Sequence, residues 1–369
     1  PVEHTVTRHL AILLLIVLVV LCYGFGPPRL TDADEPLKSL TPQQIALMRD
    51  EPLPAVTAPA ALLVNPTTGQ VILAQNEHAR RAPASLTKLV TAIVALERGD
   101  LDQTVTVTEE DLQIWTMIGL HEQETLTLDE MLHVLLIPSD NTAGVTIART
   151  LGGTADVFVG WMNQWVESHG LRNTHFANPH GLDDEENYTS AWDMAQIALY
   201  AESVPFLREI LATPEIIAAD RRLVNTNEML TRYSGTVGIK TGTEELAGEC
   251  LITLVRRPQG DALAVVLGST DRYADSVSLL DHFYGHYAEL HFDLPESPLN
   301  RYVDTEGNLH AFGLREPLTM LVRSWQTGSV TIVRRIHNPV VNPAADEPIG
   351  TLEVLLAGRP LMEAPLYAR

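Results

Sequence analysis

Cysteine is almost missing from this 369-residue sequence, which holds only Cys22 and Cys250. Cys22 lies inside an apolar N-terminal run, so a structural disulfide is not expected and the core must stand without one. Neither a Cys-x-x-Cys nor a His-Glu-x-x-His pattern occurs. His175 and His180 are five apart, but in a Pro/Gly-containing stretch rather than on one helix face. They read as surface or supporting histidines, and no metal or cofactor is expected. Positive charge is scarce as well. Lys and Arg total 25 against 47 Asp and Glu, a net charge of −22 with His neutral. That balance argues against a nucleic-acid partner and against docking on an anionic membrane surface. Acidic runs such as Asp183-Asp184-Glu185-Glu186 read as solvated loop. Lysine is the rarer cation, found only at Lys38, Lys88 and Lys240.

What is present is ordinary for a globular chain: 45% hydrophobic and 20% charged residues, and enough length for two domains. The exception is Leu10 to Phe25, a nearly unbroken apolar run preceded by Arg8 and His9 and followed by an acidic stretch over Asp32 to Glu35. That charge order predicts export with the N-terminus left inside. A cleaved signal peptide and an uncleaved membrane anchor both fit. The anchor is favoured because no small-x-small cleavage site follows, although the run is short for a full span. Either way, the remainder is expected on the extracytoplasmic side. Residues 1–27 are assigned to this segment and 28–58, rich in proline and charge, to a tether with a short helix over Gln43 to Arg49.

From Ala60 the texture changes. Two apolar runs around Pro66-Thr-Thr-Gly69 predict a hairpin. A helix opens at Ser85 and ends at Gly99, with apolar residues at helical spacing. Thr127-Leu-Asp-Glu130 is a capping box introducing Met131 to Ile137, and Pro138 breaks that helix. Further helices follow Asn141 and span Val157 to Ser168 and Ala191 to Ala201. Three strand-like runs, Thr236 to Thr243, Glu249 to Arg256 and Ala262 to Ser269, have short connections that make them antiparallel neighbours. Residues 59–290 are therefore expected to form an α+β domain, a helical cluster packed on an antiparallel sheet. Residues 294–369 carry short strand patterns, including Val330 to Arg335 and Gly350 to Leu356, and predict a small all-β domain.

Three short motifs stand in order: Ser85-Leu-Thr-Lys88, Ser139-Asp-Asn141 and Lys240-Thr-Gly242. Each alone could be an ordinary helix start, capping turn or strand end; two of the three lysines falling inside them gives the set its weight. Ser85 and Lys88 are three apart on a helix, so their side chains share a face. A serine hydroxyl needs a base to take its proton. A lysine can serve if burial or a second positive charge, here Lys240, holds it neutral near pH 7. Free backbone N–H groups at the helix start suit a developing oxyanion. Ser139 and Asn141, on a turn after Pro138, can both face one cleft, as proton relay and hydrogen-bonding clamp. Gly242 admits a close substrate backbone, while Lys240 and Thr241 can bind a carboxylate.

This ordered trio is shared by class A β-lactamases and penicillin-binding proteins. From Ala60 onward the chain resembles the low-molecular-weight penicillin-binding proteins, the D-Ala-D-Ala carboxypeptidases. The likeness includes Thr174 to Ala198, Gly238 to Ile252, the later VVLGSTDRYADSVSLL and, more weakly, EPIGTLEV. It implies a transpeptidase-like fold with a small β-rich second domain, and peptidoglycan pentapeptide as substrate. It also implies covalent inhibition by β-lactams. On this resemblance Ser85 is the nucleophile, Lys88 its base, and Ser139 and Asn141 the second-motif residues. Lys240, Thr241 and Arg272 hold the substrate carboxylate, and the N–H groups of Ser85 and Thr243 form the oxyanion hole. His180 matches a histidine bordering the cleft. The family often has glycine where Asp140 stands, so its side chain is expected to point away. The family often ends in an amphipathic anchor helix. This sequence ends in EAPLYAR, so either the N-terminal run takes over that role or the chain continues.

Three rival readings remain. A DD-endopeptidase uses the same chemistry with a larger leaving group. A class A β-lactamase would need a Glu-x-x-x-Asn pattern near His175 to Asp184, which is missing. A non-catalytic wall-binding scaffold would have no need of a lysine three residues from a serine.

Overall fold

The computed structural model describes residues 52–337 and 347–369. The apolar run, most of the tether and the helix expected over 43–49 lie outside these residues. Among the described residues no helix is long and apolar enough to cross a membrane.

The hairpin forms as β1 (Ala60–Val64) and β2 (Val71–Gln75). Asn65 shapes its turn by accepting from the N–H and hydroxyl of Thr68 at 2.8 and 2.6 Å. The helical block begins with a short 3-10 turn, Ala84–Thr87, running into α1 (Lys88–Arg98). A small ladder of β3 (Thr104–Thr106) and β4 (Thr125–Thr127) precedes α2 (Leu128–Leu136). Thr127 and Glu130 make the reciprocal capping box that the sequence announces. There follow α3 (Asn141–Gly152), α4 (Ala155–Ser168), α5 (Ala191–Ser203) and α6 (Pro205–Leu211). A hairpin, β5 (Glu215–Ala218) and β6 (Arg221–Val224), and the single turn α7 (Met229–Arg232) lead back to the sheet.

The long strands are β7 (Thr236–Glu244), β8 (Gly248–Arg257) and β9 (Gly260–Ser269). They join the N-terminal hairpin in an antiparallel sheet of order β2-β1-β9-β8-β7, with β7 at an edge. Alternate strand residues go to opposite faces. Leu62, Ile252, Leu254, Leu263 and Val265 enter the core shared with the helical block. Ala61, Leu63, Leu251, Val255 and Val266 enter a second core with Leu279, Leu280 and Phe283. Those three belong to α8 (Arg272–His286), a helix the sequence reading did not place. Its polar run Asp271 to Ser276 masks the apolar residues that follow, yet Asp271 caps it on the Ala274 N–H at 3.0 Å.

Among the described residues after α8, the regular elements are strands apart from one 3-10 turn: β10 (Tyr287–Phe292), β11 (Arg301–Val303), β12 (Leu309–Gly313), β13 (Leu318–Arg323), β14 (Val330–Ile336), β15 (Pro348–Leu356) and β16 (Arg359–Ala368). β10 pairs with β13, and the others form a sheet of order β11-β12-β16-β15-β14. The architecture is thus the expected α+β fold with a C-terminal all-β region.

Asp275 on α8 ties the incoming chain to this frame. It accepts from the Thr57 N–H and hydroxyl, the Ala58 N–H and the Ser269 hydroxyl, all at 2.6–2.9 Å. Burial pushes its carboxyl up, but these bonds outweigh it and hold the group below the usual carboxylate range. Asp275→Ala is expected to cost about 2 kcal/mol at neutral pH. A depressed pKa contributes stability above the unfolded value that is lost as pH falls through the folded one. Thermal melts should therefore show the gap between wild type and variant narrowing below about pH 4.

Candidate active site

The three motifs converge on one cleft of about 390 Å³, lined among others by Ser85, Ser139, Asn141, Thr241, Gly242, Thr243 and Arg272. Ser85 sits on the 3-10 turn ahead of α1. The preceding Ala84 has φ +49°, a costly conformation for a residue with a Cβ. The turn is held from both sides by glycines. A Cβ on Gly181 would lie 1.9 Å from the Ala84 carbonyl oxygen; one on Gly242 would meet Ala84 Cβ at 3.0 Å and the Ser85 nitrogen at 3.1 Å.

Lys88 is fully buried one turn on, with Nζ 2.7 Å from each of Ser85 Oγ, Asn141 Oδ1 and the His180 carbonyl oxygen. Two of these partners can only accept, whereas the hydroxyl can also donate. A neutral amine satisfies all three: it donates to Asn141 and His180 and takes the Ser85 proton on its lone pair. Burial is the largest influence on Lys88 and lowers its pKa to about 7, against the opposing pull of Asp140 and Glu244. Lys240, expected from the sequence to supply the depressing charge, is not among the causes acting on Lys88. The repulsion registers on Lys240, held well below the usual lysine range by burial first, then by Lys88 and Arg272.

The second motif owes its form to Pro138 and to a backbone that changes hand. Ser139 has φ +66°, and Asp140 then caps α3 by accepting from the Ala143 N–H at 3.0 Å. The Ser139 hydroxyl is buried in the cleft wall with no hydrogen-bond partner among the described residues, so it is available to a proton in transit. The Asp140 side chain turns away from the cleft, but it is not idle. Its second oxygen accepts from the Thr116 hydroxyl at 2.7 Å and from the N–H groups of Met117 and Ile118 at 2.5 and 3.3 Å.

On the edge strand β7, the Thr241 hydroxyl meets that of Thr226 at 2.6 Å. Lys240 is buried and does not line the cleft; its Nζ donates to the Thr241 carbonyl at 3.2 Å. Arg272, the first residue of α8, donates to the Gly242 and Cys250 carbonyls at 2.9 and 3.2 Å, hydrogen-bonds Thr243 Oγ1, and pairs with Glu249 at 3.3 Å. It brings a guanidinium to the cleft edge beside two hydroxyls, a carboxylate-binding arrangement.

His180 is placed differently from the expectation. Its imidazole does not line the cleft; burial and the Lys88 charge push its pKa down to about 3, and Nδ1 takes the Leu182 N–H at 3.1 Å. What His180 gives the site is its carbonyl. The loop presenting it is held by the Asn178 side chain, which accepts from Gly181 N–H at 2.7 Å and donates to the Leu182 carbonyl at 3.0 Å. The Thr91 hydroxyl fixes the Pro179 carbonyl at 2.7 Å. Cleft residues the sequence reading missed are Trp115, Met117, Thr226, Glu228, Glu244, Glu249 and Tyr273. Trp115, Met117, Thr226 and Glu228 stand outside the long elements, where no periodicity marks them, and Glu244, Glu249 and Tyr273 lie at the ends of β7, β8 and α8. Cys250 is buried with its thiol pushed up to about 11, which leaves it inert as a nucleophile.

A serine–lysine pair set between a helix start and an edge strand defines a serine acyl-transfer site of the penicillin-binding class. The fold agrees. Penicillin binding protein 5 from Haemophilus influenzae superposes with a TM-score of 0.69 at 24% identity, over 86% of this chain and 98% of that one. The DD-transpeptidase of Streptomyces K15 gives 0.60 at 26% identity, over 63% of this chain and 99% of its own. Among curated sequences, D-alanyl-D-alanine carboxypeptidase DacF of Bacillus subtilis is 30% identical over 331 residues, 85% of each chain. The D-alanyl-D-alanine carboxypeptidase family profile matches residues 47–271, and the chain belongs to that family.

Gly181→Ala tests how tightly the serine turn is held. With φ +92° and a Cβ driven into the Ala84 carbonyl, the variant must displace Ser85 or the His180 carbonyl. A drop of at least about a hundredfold in the rate of acylation by benzylpenicillin is expected, on the scale of a misplaced reacting group. Circular dichroism would verify that the fold persists.

Proposed function

We propose that this enzyme is a serine-type D-Ala-D-Ala carboxypeptidase that removes the terminal D-alanine from peptidoglycan stem peptides. The observation that carries this reading is the Lys88 amine, 2.7 Å from the Ser85 hydroxyl and otherwise bound by two acceptors. In this scheme Ser85 Oγ attacks the carbonyl between the two D-alanines as its proton passes to Lys88. The N–H groups of Ser85 and Thr243 stabilise the oxyanion. Collapse breaks the peptide bond, and the leaving amine receives its proton from Lys88 through Ser139. Water then attacks the seryl ester with Lys88 again as base, releasing the shortened peptide.

Asn141 holds Lys88 and faces the cleft, where it clamps the substrate amide. Thr241, Thr243 and Arg272 bind the terminal carboxylate, Gly242 lets the peptide lie against the edge strand, and Lys240 adds positive potential from beneath the surface. No cofactor is required. Residues 59–290 serve as the catalytic domain and 294–369 as the small β domain. The enzyme works on the extracytoplasmic face of the cell membrane, attached through residues 1–27.

Intact-protein mass spectrometry of the chain from about residue 53 with benzylpenicillin provides the test. A stable penicilloyl adduct that vanishes in Ser85→Ala, with D-alanine released from a pentapeptide, is the expected result. Rapid penicillin hydrolysis without an adduct would instead mark a β-lactamase. Lys88→Arg should abolish acylation, because arginine does not give up its proton. The acylation rate of the wild type should rise with pH and level off, with a midpoint near 7, because Lys88 acts only when neutral. A flat profile between pH 5 and 9 would refute the base assignment.

A further inference from the structure

A substrate that ends in a carboxylate brings an acceptor-only group with two oxygens and about four lone-pair sites. The donors that can meet it in this cleft are fewer than the motif residues suggest. A guanidinium carries five N–H donors. In Arg272, Nη1 serves the Gly242 and Cys250 carbonyls, Nη2 serves Thr243 Oγ1, and Nε faces Glu249 at 3.3 Å. A single N–H on Nη2 is left, so this arginine cannot offer the two-pronged grip of a free one. Lys240 is buried and donates to the Thr241 carbonyl. Hydroxyls must supply the remaining donors.

Two of those hydroxyls form a pair. Thr226, in the loop between β6 and α7, lines the cleft with its Oγ1 2.6 Å from that of Thr241. Neither hydroxyl has another hydrogen-bond partner among the described residues. Each carries one proton, and the bond between them uses one of the two. The other is left for the cleft. The main chain of Thr226 is fixed on both sides. Its N–H donates to the Ile137 carbonyl at 3.1 Å, and its carbonyl accepts from the Tyr273 hydroxyl at 3.1 Å. The neighbouring Asn225 ties the loop down further, its N–H on the Pro214 carbonyl at 2.8 Å and its Nδ2 on the Thr213 carbonyl at 2.9 Å.

We propose that Thr226, which none of the three motifs contains, is a positioning residue for the substrate's terminal carboxylate and acts through Thr241. Whichever hydroxyl donates inside the pair, the proton of the other is turned to the cleft, so an incoming anion always meets one aligned O–H. Without Thr226, the Thr241 hydroxyl rotates freely and loses the neighbour that polarises it. Hydrogen bonds to a charged acceptor are stronger than those to a neutral one, so the pair favours a carboxylate over an uncharged end. This inference rests on the carboxypeptidase reading and adds a residue to the selection that reading requires.

The test compares two substrates that share one scissile bond, Nα,Nε-diacetyl-L-lysyl-D-alanyl-D-alanine and the same peptide ending in a carboxamide, on wild type, Thr226→Val and Thr226→Ser. Valine keeps the shape of threonine and removes the hydroxyl. In Thr226→Val, kcat/KM for the acid should fall about tenfold, mostly through KM, while that for the amide changes about twofold or less. The preference for the acid therefore shrinks about fivefold. Thr226→Ser keeps the hydroxyl and should hold both values within about twofold of wild type. A loop that was merely loosened would slow both peptides alike, and that result would overturn the inference. So would an undiminished preference in Thr226→Val, or a serine variant that behaves like the valine one. In each of these cases the wild type still releases D-alanine from the acid, and the carboxypeptidase reading stands. A wild type that forms the penicilloyl adduct yet releases no D-alanine would overturn both.

Discussion

Everything in the cleft is arranged around one buried amine. Lys88 brings Ser85 of its own helix start together with Asn141 and His180, which lie 53 and 92 residues further along the chain. Burying a charged lysine without a counter-ion is costly, and the protein resolves this by letting the group lose its proton rather than by pairing it. Neither Asp140 nor Glu244, the carboxylates that pull its pKa up, makes a hydrogen bond to Nζ. Their influence keeps the amine near neutrality instead of driving it further down. The same desolvation that leaves Lys88 neutral near pH 7, and so able to take a proton, also lowers the pKa of Lys240, and the hydroxyls and Arg272 stand at the cleft surface in its place.

The sheet and helices can be seen as the means of holding those three contacts in register. Alternation along β8 and β9 buries both faces, the helical block on one and α8 on the other. The strand order leaves β7 at the edge of this sheet, and there Gly242 lies against the turn carrying Ser85. On the helical side, Pro138 ends α2 and the left-handed Ser139 redirects the chain so that Asn141 opens α3 facing Lys88. Two residues with positive φ, Ala84 and Ser139, flank the reacting groups, where backbone strain is most often found.

Much of this was readable in the sequence because the chain uses lysine so sparingly. With lysine at only three positions, two of them inside ordered motifs stand out, and the capping box and proline break put the motifs on the right elements. The hairpin and the three long strands followed from alternation and short connections. The remainder was hidden for physical reasons. A backbone carbonyl has no residue signature, so the sequence could set His180 at the border of the cleft but could not show that its main-chain oxygen is what reaches Lys88. Asp140 looked like a tolerated departure because its partners are mostly N–H groups of a loop 22–24 residues earlier, which no spacing rule reaches. Helix α8 was missed since a charged first turn hides an apolar face that only becomes evident against the back of the sheet.

The two glycines gripping the serine turn also bear on how such an enzyme can diversify. Every replacement at Gly181 introduces at least one carbon where the Ala84 carbonyl already is, and at Gly242 one where the turn has only a few tenths of an ångström to give. A replacement that leaves the serine turn in place must therefore fall elsewhere. The segment carrying Trp115 and Met117 and the turn after β7, where Glu245 and Leu246 stand in solvent, lie outside that grip. Innovation in this architecture belongs to the rim, and the grip on the nucleophile is what confines it there.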